Sequence, residues 1–212
     1  MRERVELVVY SDYLCPWCYL AEHRLKKLQQ ELGPALALEW RSFLLRPRPE
    51  PGRELEKFVR YTQSWLRPAS EPDAPAFRVW ESSEGPPTHS VPPHLVAKAA
   101  AALGPDAFAA VHERLLRAYF EQSRDISRVD TLRAIWGEAG LADADFEACA
   151  DRRFLEQTAA EHDEAVSLGI TGVPAVRVAG TDAFVLGAQP LATYRRWIER
   201  LRAGVLDEAA AR

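Results

Sequence analysis

Val5-Glu6-Leu7-Val8-Val9-Tyr10-Ser11-Asp12-Tyr13-Leu14-Cys15-Pro16-Trp17-Cys18 is the stretch on which the reading of the fold turns. Its first six residues are β-branched and apolar enough for a buried strand. After the turn-like Ser11 to Leu14, a helical pattern opens, with Ala21, Leu25, Leu28 and Leu32 on one face. Pro16 suits a first helical turn, where its missing N–H costs nothing. A Cys-x-x-Cys pair between a strand and a helix start reads as a redox dithiol. Unsatisfied N–H groups and the helix dipole favour a thiolate there, so Cys15 is expected to attack. Cys18, one turn further along and more buried, is expected to resolve the mixed disulfide. Trp17, held between the cysteines, reads as part of an apolar docking surface.

Two other arrangements compete for such a pair. A structural zinc site needs four ligands, and Cys15 and Cys18 have no second pair at a usual spacing, so no metal is expected. Two inert cysteines packed as small hydrophobes are the remaining alternative. The third cysteine, Cys149, stands alone and is expected in the core. An odd count with one close pair is not a secreted disulfide framework.

Outward from the motif, Gly33-Pro34 ends the first helix, and Ala35 to Leu45 reads as a second strand. A short helix is expected over Glu54 to Trp65, and Arg67 to Pro93 holds seven of the fifteen prolines and reads as a loop. Helices follow over Pro93–Leu103, Pro105–Gln122 and Arg128–Ala139, the last with a capping-box-like start at Ser127, and helical character then runs from Ala144 to Leu168. Two short strands, Pro174–Ala179 and Ala183–Leu186, and a last helix over Pro190–Arg202 close the chain. The order βαβ, helices, ββα predicts an α/β fold interrupted by an all-helical insertion. The expected division is 1–49 (βαβ), 50–149 (helical insertion, over the dithiol face) and 150–212 (helix, ββα).

The 212 residues carry 27 Lys and Arg against 31 Asp and Glu, a net charge of −4, so no global field attracts a phosphate backbone and nucleic acid is not an expected partner. No apolar run approaches the ~20 residues that span a bilayer. Met1-Arg2-Glu3-Arg4 leads straight into the first strand, and the expectation is a cytoplasmic protein without a membrane partner. His23 is expected on a solvated helix face, and His89, His94, His112 and His162 show no evident partner in the sequence, leaving a Cys-His hydrolase triad without support.

Ser11-Asp12-Tyr13-Leu14-Cys15-Pro16-Trp17-Cys18-Tyr19-Leu20 resembles the signature of DsbA-like oxidoreductases of the FrnE type. Trp40 to Pro47, Tyr119-Phe120 through Ser127, Gly169 to Pro174 and Gly187 to Pro190 follow in family order, so the resemblance covers nearly the whole chain. It implies a thioredoxin-like fold with a helical insertion, and a cis Val173–Pro174 bond facing the dithiol. The implied site is Cys15 and Cys18 with Pro16, Trp17, Val173 and Pro174 binding substrate, the Val173 backbone pairing with an extended chain or with glutathione. The implied activity is thiol–disulfide exchange with protein thiols or disulfides. No cofactor is expected, with glutathione the candidate co-substrate. The related 2-hydroxychromene-2-carboxylate isomerases and kappa-class glutathione transferases, which typically place Ser where Cys15 stands, make an isomerase or transferase on a small aromatic compound the alternative; a non-catalytic binding protein is the third. Some FrnE-type proteins carry a second Cys pair late in the insertion, where this chain has only Cys149.

Overall fold

The computed structural model describes residues 4–204. β1 (Val5–Ser11) runs into α1 (Pro16–Leu32), and β2 (Leu36–Ser42) returns parallel to β1, pairing Val5 with Leu36 through Ser11 with Ser42. A helix is the ordinary crossover between parallel neighbours. The helices α2 (Leu55–Thr62), α3 (Leu66–Ala69), α4 (Val91–Leu103), α5 (Pro105–Phe120), α6 (Val129–Glu138), α7 (Asp143–Phe146) and α8 (Arg152–Ser167) follow. β3 (Ala175–Val178), β4 (Phe184–Leu186) and α9 (Leu191–Ala203) complete the described chain. The sheet order is β2-β1-β3-β4, with β3 antiparallel to both β1 and β4.

The alternation of β1 decides what each sheet face carries. Val5, Leu7 and Val9 face one side, where Leu25 and Leu28 of α1 and Tyr194, Ile198 and Leu201 of α9 close over them. Val8 and Tyr10 face the other, against Ala165 of α8 and Ile170. A larger cluster forms among the helices around Trp65, Trp80, Tyr119, Phe120 and Trp136, and it includes Tyr13, Leu14 and Tyr19 from the first strand–helix junction. Lys98 of α4 bonds Glu161 of α8 at 2.6 Å, and Glu161 also accepts the Ser42 N–H at 2.7 Å, so one carboxylate joins helices to sheet.

Several boundaries differ from expectation. β2 stops at Ser42, because Leu45 N–H turns away to Asp12 and Leu45 itself is exposed. Gly33–Ala35 is a 3-10 turn before that strand. The last two strands are shorter than predicted, Pro174, Ala179 and Ala183 lying outside them. The expected helix from Ala144 to Leu168 is broken: α7 and a 3-10 turn over Glu147–Ala150 precede Asp151, whose side chain accepts the Arg153 N–H at 3.0 Å and caps α8. An Asp ahead of an apolar helical period is an N-cap signal written in the sequence itself. The capping-box reading at Ser127 is also corrected, since its hydroxyl bonds Asp125 at 2.7 Å and Arg128 is the cap residue of α6. Gly140 and Gly169, at φ 79 and 77, follow the ends of α6 and α8 in a left-handed conformation that glycine adopts without a Cβ penalty.

Candidate active site

α1 places the two cysteines. Cys15 is its N-cap residue in extended backbone and Pro16 occupies the first turn, so the Cys18 N–H reaches back to the Cys15 carbonyl at 3.0 Å. Both thiols are free and buried, Cys18 slightly deeper than Cys15, while Trp17 between them is 37% exposed. The Val173–Pro174 bond is cis and stands across from the helix start: the Cys15 thiol donates to the Val173 carbonyl at 3.4 Å. The Pro174 carbonyl is taken by Gly187 N–H at 2.8 Å. The Val173 N–H has no backbone partner among the described residues. The six residues singled out in the sequence thus converge on one place.

Asp12 anchors the turn that carries Cys15. Fully buried, it accepts Leu14 N–H at 2.7 Å and Leu45 N–H at 2.6 Å through its side chain, and Cys15 N–H at 3.1 Å through its carbonyl. Burial pushes its carboxyl up to about 6 against the pull of bonds from Ser90, Leu14 and Leu45 and of the nearby Arg46. Burial likewise drives the Cys18 thiol well above its ordinary range, helped by the hydrogen bond to Cys15 and its charge. Cys149 sits in the core at the end of the 3-10 turn, its thiol raised by burial to about 11. Iodoacetamide near pH 7 should therefore label Cys15 first, because Cys18 and Cys149 are held as thiols and only the thiolate is nucleophilic. Peptide mapping that finds Cys149 or Cys18 labelled ahead of Cys15 would reverse the roles.

The histidines do have partners, contrary to the sequence reading. His112 Nδ1 and the Tyr13 hydroxyl are 2.7 Å apart, and His94 meets the Tyr13 ring edge-on at 4.8 Å. His162 Nδ1 accepts the Leu44 N–H at 3.2 Å, and His89 Nδ1 lies 2.9 Å from the Thr88 hydroxyl. Burial lowers His112 to about 3 and His94 well below its usual value, so both are neutral packing groups. His23 is exposed as expected. Three further groups near the motif carried no local sign in the sequence. Glu22 and Arg24 are buried on the first turns of α1, and Tyr61 of α2 lies within electrostatic reach of Cys15.

The model of the DSBA-like thioredoxin domain matches residues 6–199. The chain belongs to that family. The Bacillus subtilis protein YwbO is 26% identical over 200 residues, covering 84% of this chain and 88% of that protein. The cytosolic disulfide reductase DsbM from Pseudomonas aeruginosa superimposes with a TM-score of 0.71 at 20% identity, over 98% of this chain and all of that one, and its structure with GSH gives 0.69 at 21% identity, over 97% and 100%. A 2-hydroxychromene-2-carboxylate isomerase shares the fold at a TM-score of 0.68 and 18% identity, over 95% of this chain and 98% of the other. Among the described residues no helix is long and apolar enough to cross a membrane.

Proposed function

We propose that the chain is a protein-disulfide oxidoreductase working in the cytoplasm, with Cys15 as nucleophile and Cys18 as resolving thiol. The observation that carries this reading is the paired thiol at the start of α1, with the Cys15 thiol 3.4 Å from the Val173 carbonyl beside Pro174. The Cys15 thiolate attacks one sulfur of a substrate disulfide; a Cys15–substrate bond forms and the substrate S–S bond breaks, releasing one thiol. Cys18 then loses its proton and attacks the Cys15 sulfur, releasing the second thiol and leaving a Cys15–Cys18 disulfide. Two electrons pass from protein dithiol to substrate, and the reverse sequence oxidises a substrate dithiol. The unengaged Val173 N–H supports pairing with an extended substrate chain, and the half-exposed Trp17 offers it an apolar contact. Protein disulfides and glutathione are the proposed partners, and no cofactor is required by these steps.

Incubation with glutathione disulfide, followed by intact mass and thiol counting, tests the reading. The wild type should lose two protons reversibly. Cys15→Ser should lose none, and Cys18→Ser should accumulate a glutathione adduct on Cys15. Glutathione bound without redox change would favour the isomerase or transferase alternative, and no response at all a binding protein.

A further inference from the structure

Where α1, β2 and α5 meet lies a cavity of about 310 Å³ with Glu22, Lys26, Trp40, Asp106, Phe108 and His112 among its walls. Three of these six carry aromatic rings, and the rings touch. The His112 ring centre is 4.8 Å from that of Trp40, and His112 stacks on Phe108 at 5.0 Å. Trp40 and Phe108 are only half-buried, which leaves ring surface to the cavity. Burial lowers His112 to about 3, so its ring brings no positive charge.

The charged walls do not balance. Lys26 donates to Glu113 at 2.6 Å, so its ammonium is already compensated. Glu22 is 6% exposed and accepts no hydrogen bond among the described residues, and Asp106 adds a second carboxylate to the walls. A carboxylate buried without a donor is costly as an ion, and burial pushes Glu22 up to about 7. A counter-charge entering the cavity would remove that cost. An idle acceptor beside aromatic faces supplies two attractions for an organic cation, one for its N–H groups and one for its charge.

We infer that this cavity binds an organic ammonium ion with a compact apolar body, its N–H groups on the Glu22 carboxylate and its body against Trp40 and Phe108. The volume is that of a small-molecule site. An anion would meet Glu22 and Asp106, and a neutral compound would leave Glu22 without a counter-charge. The inference is independent of the thiol–disulfide reading, since no covalent or redox step is involved and none of these walls takes part in the proposed exchange.

The test titrates the protein with phenethylammonium and with 2-phenylethanol, its uncharged counterpart of similar shape, at pH 8.5 and pH 5.5, for the wild type, Glu22→Gln and Phe108→Leu. At pH 8.5 the wild type should bind the ammonium about tenfold more tightly than the alcohol, the scale of one charge-assisted hydrogen bond, and Glu22→Gln should bind the two alike. Phe108→Leu should lose about threefold of the preference, the scale of a cation–π contact. At pH 5.5 the wild-type preference should shrink toward that of Glu22→Gln, because a carboxyl raised to about 7 is then protonated. Tyr13 and Tyr19, which also face Glu22, are raised by burial and stay neutral at both pH values, as does His112. Lys26, Asp106 and Glu113 are present in Glu22→Gln as well and cancel in the comparison. Equal affinity for ammonium and alcohol in the wild type at pH 8.5, a preference that survives in Glu22→Gln, or no binding of either compound overturns the inference. Should Glu22→Gln fail to fold, the wild-type pH series and Phe108→Leu decide: a preference of the same size at the two pH values, or one untouched by Phe108→Leu, overturns it.

Discussion

Replacing Arg24 with Met should cost about 1 to 3 kcal/mol of stability, the scale of lost charge-assisted hydrogen bonds, because the carboxylates left behind, Asp73 and Glu71, are 25% and 36% exposed and regain water. The Arg24 side chain is only 2% exposed, yet all of its donors are occupied. Nε and Nη2 bond Asp73 at 2.6 to 3.1 Å, Nη2 also reaches Glu71 at 2.8 Å, and Nη1 bonds the Gln189 carbonyl at 3.0 Å. One side chain on α1 thereby ties the proline-rich loop to the segment between β4 and α9. Methionine preserves most of the stem volume, so the loss isolates the polar network from cavity formation. The sign of the pH dependence follows from Asp73, whose carboxyl is held below the usual carboxylate value by its bonds to Arg24. A depressed carboxyl contributes stability that is present above its unfolded value of 3.8 and lost as pH falls through the folded one. Urea denaturation at pH 7 and pH 3 should show the Arg24→Met deficit shrinking in acid. A deficit below 1 kcal/mol at pH 7 would mean that the pairs merely offset the cost of burying them.

Glu22→Gln should act in the opposite direction. Glu22 is 6% exposed and accepts no hydrogen bond among the described residues. Burial pushes its carboxyl up to about 7; Lys26 draws it down, though Lys26 is itself bonded to Glu113 at 2.6 Å, and Glu113 raises it. A raised carboxyl means that the folded protein binds more protons than the unfolded chain between 4.5 and about 7, so stability falls across that window and the penalty is complete above it. At 1.36 kcal/mol per pH unit the penalty is about 3 kcal/mol. The variant should therefore be more stable than the wild type by about 2 to 3 kcal/mol at pH 8.5 and nearly equal to it at pH 4. Asp12, raised for the same reason, remains in both proteins and cancels in the comparison. An equal difference at the two pH values would assign the effect to packing rather than charge.

Legibility in the sequence followed the range of the forces involved. The path from Val5 through Cys18 into α1 was readable because its causes are local: strand alternation, a proline in the first helical turn, and a helical apolar period from Ala21 to Leu32. The Val173–Pro174 turn and its place opposite the dithiol were readable only through the family resemblance. The break before α8 is equally local, since Asp151 is a capping residue whose side chain accepts the Arg153 N–H.

By itself, then, the sequence determined the order of the elements and the place of the cysteine pair at a helix start, because periodicity, turn residues and cysteine spacing act within a few residues of one another. Tertiary structure decided which side chains have partners. Arg24 meets Asp73 across 49 positions, Tyr13 meets His112 across 99, and Cys15 meets Val173 across 158. Glu22-His23-Arg24 shows the division most sharply: three polar neighbours on one helix, of which the middle one is exposed and the outer two are buried. Successive residues on a helix point about 100° apart, so where each one ends is set by the elements that pack against α1, and nothing in its own neighbourhood records them.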